Sequence, residues 1–245
     1  MRRARRCKDD RALLEGPHLV AEAVAAGFAL QDLLATPEFL ETEEGRALAA
    51  RLPHPPGLAT TDALAPVFDA DSPKGVAAVV ELPRFGVGAL PRRRDGVYLY
   101  LDGLQDPGNL GALVRTAEAA GVAAVALGPG CAHPNHPRAL RASAGSLLRL
   151  PVAREVEADR LADHLDEIGP RWTALATRGG EPLWEADLAG ARVLALGAEG
   201  PGLSPAVEAR CDLRLTIPLQ PPVESLNATV AASLVLFELQ RRRRP

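Results

Sequence analysis

Residues 193–239 read VLALGAEGPGLSPAVEARCDLRLTIPLQPPVESLNATVAASLVLFEL, and this stretch decides the fold. A short apolar run at 193–196 empties into Gly197-Ala198-Glu199-Gly200-Pro201-Gly202, the way a buried strand ends in a loop whose backbone must approach something closely. Ser204 followed by Pro205 reads as an N-cap with proline at the first helical position. A second strand, 213–217, then runs into Pro218-Leu219-Gln220-Pro221-Pro222, which cannot continue a sheet. Ser225-Leu226-Asn227 opens a helix in which Ala228, Val230, Ala231, Ala232, Leu234, Val235, Leu236 and Phe237 leave almost no polar face. Such a helix is expected to be covered all round, part of the cover coming from a second subunit.

Working outward, strands at 97–101, 123–127, 173–176, 193–196 and 213–217 alternate with helices near 110–120, 138–144, 159–168, 205–209 and 226–240. This alternation predicts an α/β fold with a parallel sheet and helices on both faces. Residues 9–84 read as a smaller α/β unit. Its elements are a helix between Gly16-Pro17 and Gly27, a strand at 33–35, a helix at 41–50, a proline turn at 53–56, a helix at 61–68 and a buried strand at 75–80. Composition breaks in PRFGVGALPRRRDG, residues 83–96. The expected division is therefore a first domain 1–84, a linker 85–96 and a second domain 97–245.

The chain has 245 residues, 47% of them hydrophobic, enough for real cores, and a formal net charge of -3 that argues against coating nucleic acid by charge alone. Its basic residues cluster at 2, 3, 5, 6, 8 and 11, at 92–94 and at 241–244, as solvated tails or as local patches that dock on a phosphate backbone. Aromatic content of 4% excludes a base-stacking single-strand binder. Cys7, Cys131 and Cys211 are odd in number, far apart and free of any C-x-x-C spacing, so a reducing, cytoplasmic setting without disulfides is expected. No run approaches transmembrane length, and Asp9-Asp10 follow the arginine-rich start with no apolar core, unlike a signal peptide.

In an open α/β sheet ligands sit beyond the carboxyl ends of the strands. The first such loop, residues 102–111, leads into a helix in which Asn109 is a candidate N-cap and Arg115 lies about one and a half turns further on. Taken alone, Asn109 would merely cap and Arg115 would pair with Glu118 or Glu22. Neither glycine loop gives G-x-G-x-x-G with a following acidic residue, and no G-x-S-x-G or phosphate-binding loop is present. Cys131, His133 and His136 in a proline-broken loop lack a partner cluster, so no metal is expected.

Together, DPGNLGALVRTAEAAGV, LGAEGPGLS and IPLQPPVESLNATVAASL, in this order and at these strand ends, resemble the three motifs of the SpoU/TrmH family of RNA ribose 2′-O-methyltransferases, in the SPOUT class. The first motif matches at Asn109, Gly111 and Arg115, the second at Gly197, Glu199, Gly200 and Gly202, the third at Ile217, Pro218, Ser225, Leu226 and Asn227. The resemblance covers residues 97–240, and ALRASAGSLLRLPV between the first two motifs is similar as well. The first 90 residues, with EGPHLVAEAV and SPKGVAAVV, look like an L30e-like RNA-binding domain. The resemblance implies a parallel-sheet catalytic domain with a C-terminal trefoil knot, S-adenosylmethionine bound bent within it, and a homodimer through that domain. It implies RNA as partner, with no membrane: a ribose 2′-hydroxyl of structured RNA, 23S ribosomal RNA favoured over tRNA and guanosine favoured as nucleoside. The alternatives are a tRNA ribose methyltransferase, a base methyltransferase of the same class, and a catalytically silent RNA-binding or ribosome-assembly factor.

By the same resemblance Asn109, Arg115, Glu199, Ser225 and Asn227 are the expected catalytic residues. Thr177, Gly197, Glu199, Gly200, Ile217, Pro218, Leu219, Ser225, Leu226 and Asn227 are expected at the cofactor. A guanidinium is effectively always protonated. Arg115 is therefore expected to grip the adjacent phosphate and stabilise developing alkoxide charge rather than take the proton.

Overall fold

The structure, a computed structural model, describes residues 10–68, 74–83 and 85–243. The arginines at 2–6, Cys7, Arg244 and the Ser72-Pro73 part of SPKG fall outside the described residues. The chain divides into two compact units, 1–83 with 133–149, and 84–132 with 150–245.

The first unit opens with β1 (Arg11–Glu15) and α1 (Pro17–Ala25), followed by β2 (Asp32–Ala35), α2 (Pro37–Leu40), α3 (Glu43–Ala49), β3 (Gly57–Leu58), α4 (Thr61–Leu64) and β4 (Val76–Glu81). The sheet order is β1-β4-β2-β3, antiparallel except for the β2–β3 pair. β4 is central and buried over its first five residues, which is why it reads as an unbroken apolar run instead of an alternating one. Leu13, Leu64, Val67, Phe68, Ala77 and Val79 form the core on one side. β1 was not expected from sequence: RALLE holds three apolar residues between charged ends, too few to show a period.

Along the chain the second unit contains β5 (Tyr98–Asp102), α5 (Pro107–Ala119) and β6 (Ala124–Leu127). The next helix, α6 (Pro137–Ser143), belongs to the first unit. There its Arg141 reaches the buried Glu15 carboxylate at 2.9 Å. The second unit resumes with β7 (Val152–Ala153), α7 (Ala158–Leu165), β8 (Arg171–Leu175), β9 (Glu181–Pro182), β10 (Ala191–Gly197), α8 (Pro205–Glu208), β11 (Leu213–Thr216) and α9 (Ala228–Arg243). Seven strands in the order β7-β6-β5-β10-β8-β11-β9 pair in parallel throughout. The expected parallel sheet is present, and the two-residue edge strands β7 and β9 are additions to it.

α5 shows why this chain turns helical where it does. Asp106 caps it, accepting from the Asn109 amide at 2.7 Å, and Pro107 takes the first helical position. Leu110, Leu113, Val114 and Ala117 are buried at the i, i+3, i+4, i+7 spacing of one helix face, and Gly121 (φ 73) follows the C-cap. α9 packs on α5 and β10. Its covered face carries Ala232, Val235, Leu236 and Leu239, while Val230, Leu234 and Phe237 remain 50%, 36% and 45% exposed. Within the chain α9 is thus covered on one face, not all round as its composition suggested.

The end of α9 is fastened by charge. Glu238 is buried and accepts from Arg241 (2.8 Å) and Arg242 (2.6 Å). Arg242 also donates to the carbonyls of Ala186, Leu183 and Trp184 at 2.7, 3.2 and 3.2 Å. These hydrogen bonds from Arg241 and Arg242 hold the Glu238 carboxyl at about 2, against an ordinary 4.5. A depressed carboxylate pKa contributes stability that is complete above the unfolded value and is lost as pH falls toward the folded one. Between pH 4.5 and 2 the wild-type chain should therefore lose stability more steeply than Glu238→Gln. Denaturant midpoints collected across that range test this, and parallel curves would remove the carboxylate from the acid limb.

Candidate functional site

The carboxyl ends of β8, β10 and β11 surround a cavity of about 820 Å³. Thr177, Gly197, Glu199, Gly200, Ile217, Leu219, Ser225, Leu226 and Asn227 line it, so nine of the ten residues expected at the cofactor share one enclosure. Pro218 does not line it and points to solvent.

The 197–202 loop folds back on itself, Ala198 and Gly202 exchanging backbone hydrogen bonds of 3.1 and 3.0 Å. A Cβ on Gly197 would lie 2.0 Å from the Gly202 carbonyl carbon, so only glycine admits this closure. Gly200 (φ 93) and Gly202 (φ 77) take left-handed conformations that L side chains disfavour. Beyond the loop, the Ser204 amide donates to Asp102 at the end of β5 at 2.7 Å, anchoring the loop to the neighbouring strand. Ser204 is the N-cap of α8 as expected, although its side chain makes no capping bond.

Beside the cavity three side chains form a line, of which Asn227 and Glu199 belong to the lining and Asn109 does not. Asn227 accepts at Oδ1 from the Thr229 and Val230 amides (2.9 and 3.4 Å), capping α9. Its Nδ2 is then left to donate to Asn109 Oδ1 at 3.2 Å. Asn109 Nδ2 in turn donates to Glu199 Oε1 at 2.6 Å. Each amide's orientation is dictated by the one before it, and the line ends on a carboxylate that can only accept. Asn109 is not the N-cap expected from sequence. Asp106 holds that position, and the Asn109 side chain is thereby free to cross to the glycine loop.

Arg115 is exposed, lies outside the cavity lining and takes no part in this line. Six residues along α5 turn it about 120° away from Asn109. The expected alternative partner Glu22 is occupied by Arg149. Ser225 lines the cavity and is exposed. Asp102, Asp106, Arg178 and Glu224 were not singled out from sequence. The Asp-Pro pair that starts α5 was the available signal for Asp106, whereas Arg178 and Glu224 carry none.

The remaining reactive groups have quiet roles. Burial pushes the Cys211 thiol to about 11 and raises Cys131 as well, so neither offers a thiolate near neutral pH. His136 Nδ1 accepts from the Arg138 amide at the start of α6. Among the described residues no group of three or more His, Cys, Asp or Glu could hold a metal ion. S-adenosylmethionine does fit. The volume lies within the range of small-molecule sites, and Ile217, Leu219 and Leu226 with the backbone of the glycine loop suit an adenosine held by apolar and main-chain contact.

The SpoU rRNA Methylase family model matches residues 96–237. The 23S rRNA (guanosine(2553)-2′-O)-methyltransferase RlmP of Bacillus subtilis is 32% identical over 96% of this chain and 90% of its own length. An uncharacterized tRNA/rRNA methyltransferase of Synechocystis is 35% identical over 94% of this chain and 84% of its own. Among solved structures, the SpoU methyltransferase AviRb from Streptomyces viridochromogenes, in complex with the cofactor AdoMet, superposes with a TM-score of 0.86 at 27% identity, covering 96% of this chain and 91% of that one.

The closure of the glycine loop is open to a direct check. Gly197→Ala must displace the Gly202 backbone and is expected to cost about 1–3 kcal/mol. Gly86→Ala, where a Cβ meets nothing within 4 Å and φ is -76, should change stability by less than about 0.5 kcal/mol. Equal denaturation midpoints for the two variants would mean that the loop closes without needing glycine.

Proposed function

The chain belongs to the SpoU rRNA methylase family and is an S-adenosylmethionine-dependent RNA methyltransferase; we propose that its acceptor is a ribose 2′-hydroxyl of 23S ribosomal RNA, with guanosine the favoured nucleoside. The observation that carries this reading is the Asn227–Asn109–Glu199 line, whose two ends line the cavity, because it joins all three motifs at one place. The named activity of the Bacillus subtilis relative supports the choice of RNA and nucleoside. The first unit, with the L30e-like resemblance, is the proposed RNA-docking domain. The order β5-β10-β8-β11, with the 197–202 loop and the 217–227 segment lining one cavity, supports the knotted path of the chain.

When bound, S-adenosylmethionine supplies a sulfonium methyl group. The protein's part is position and field. Ile217, Leu219, Leu226 and the main chain of Gly197 and Gly200 hold the adenosine, with Thr177 at its edge. Asn109, fixed from both sides, presents a rigid amide to the ribose, and Ser225 completes the polar wall. The hydroxyl is a weak nucleophile until its proton leaves. A guanidinium gripping the adjacent phosphate stabilises the alkoxide as it forms, while the phosphate or a water takes the proton.

That guanidinium is Arg115, which faces away from its own chain's cavity. α5 packs on α9, whose Val230, Leu234 and Phe237 form an uncovered apolar stripe. We infer that a homodimer closes over this stripe and that Arg115 of one chain serves the other's cavity.

The reading is tested by single-turnover methyl transfer to unmodified 23S rRNA and tRNA transcripts, followed by mapping of ribose methylation. Product on tRNA alone would reject the proposed acceptor. Arg115→Ala should lower turnover by about 10²-fold or more while cofactor affinity stays within roughly twofold, and Arg115→Lys should rescue poorly because it lacks the planar fork. Near-normal turnover by Arg115→Ala would return this residue to the solvated surface.

The dimer carries its own tests. Leu234→Asp should give a monomer in sedimentation, and an unchanged dimer would place the interface elsewhere. Mixed dimers of Arg115→Ala and Asn227→Ala chains should recover activity that neither parent has, because one cavity then pairs an intact Asn227 with the other chain's Arg115. No recovery would confine Arg115 to its own chain.

A further inference from the structure

Five charged side chains line the cavity: Arg178, Glu199, Glu208, Arg214 and Glu224. Glu199 is engaged by Asn109, and Arg214 pairs with Glu208 between β11 and α8. The remaining pair, Arg178 and Glu224, joins the loop after β8 to the turn before α9 at 3.4 Å, with side chains 76% and 78% exposed. An ion pair so long and so wet contributes little to the fold. Both partners are available to exchange.

S-adenosylmethionine ends in an α-ammonium and an α-carboxylate on one carbon, and two methylene groups separate that carbon from the sulfonium. Wherever the methyl group is transferred, the zwitterion must therefore lie within about 5 Å of the sulfur. Glu224 sits three residues before Asn227 in the segment that leads into α9, and both line the cavity. On the adenosine side of the lining Ile217, Leu219 and Leu226 are apolar, and the single charge of the glycine loop, Glu199, is already engaged by Asn109.

We propose that Arg178 and Glu224 receive the methionine end of the cofactor, the Arg178 guanidinium taking the carboxylate and the Glu224 carboxylate the ammonium. One weak ion pair is replaced by two, and no charge is left without a partner. The inference rests on reading this cavity as the cofactor site. It makes Arg178 and Glu224 discriminate between ligands that carry the amino-acid tail and ligands that do not.

The experiment is calorimetric titration of wild type, Arg178→Ala and Glu224→Gln with S-adenosylhomocysteine and with 5′-methylthioadenosine, which keeps the adenosine and the sulfur but lacks the amino-acid group. Each substitution is expected to weaken S-adenosylhomocysteine by about fivefold and to leave 5′-methylthioadenosine within roughly twofold. Raising the salt concentration should weaken the first ligand more than the second in the wild type. Retained binding of the tailless ligand also shows that each variant is folded. Equal losses for both ligands, or no loss for either, overturn the inference alone and leave the pair as a brace between loops. A wild-type chain that binds neither ligand overturns the cofactor reading of the cavity, and this inference with it.

Discussion

The line of hydrogen bonds from Asn227 through Asn109 to Glu199 is the contact on which the arrangement of the site depends. It links positions 118 and 90 residues apart in the chain, and it has a direction. The α9 backbone amides occupy Asn227 Oδ1, so its Nδ2 must donate, so Asn109 accepts with oxygen and donates with nitrogen, and the acceptor at the end is the Glu199 carboxylate. Supporting contacts serve the same line. Asp106 caps α5 and leaves the Asn109 side chain free, while Asp102 holds Ser204 at the exit of the glycine loop. The lack of a Cβ at Gly197, which would lie 2.0 Å from the Gly202 carbonyl carbon, lets that loop close and bring Glu199 into reach. A side-chain amide with both ends engaged has little rotational freedom, which is what positioning a substrate requires.

Much of this was legible in the residues, and what was not has identifiable reasons. The five longer strands and the helices between them showed because each holds enough apolar residues to reveal its period. β7 and β9 have two residues each, and no pattern fits in two. The loops announced themselves through glycine, proline and asparagine, residues whose constraints are local. The bonds among Asn227, Asn109 and Glu199 are tertiary, and nothing near any one of them in sequence specifies the other two. At the start of α5 two cap-forming residues, Asp106 and Asn109, competed. Pro107 decides between them, since proline is comfortable at the first helical position and that makes the residue before it the cap.

The apolar C-terminal helix was read correctly in composition and incompletely in geometry. Ala232, Val235, Leu236 and Leu239 are spaced for one face, Val230, Leu234 and Phe237 for another. A sequence with two apolar faces looks the same as one with no polar face, and only the packing of α9 on α5 shows which face the chain keeps for itself. Glu238 lies within this helix because Arg241 and Arg242 neutralise it and Arg242 spends its other donors on the carbonyls of the 183–186 segment. The charge is buried with partners, the condition under which burial is tolerable.

The division of labour among the charges follows from where each can act. A group that must strengthen its grip as charge develops on the ribose has to approach from the RNA side, so a guanidinium within the cofactor's own enclosure would be badly placed for it. Arg115 stands outside that enclosure, on a helix whose neighbour carries the uncovered apolar stripe. If two chains meet there, the residues that hold the cofactor and the residue that stabilises the alkoxide come from different subunits, and a separated chain would retain cofactor binding without efficient turnover. Binding would then be a property of the fold and turnover a property of the assembly. The exposed stripe and the outward arginine are the two features that such an arrangement would account for together.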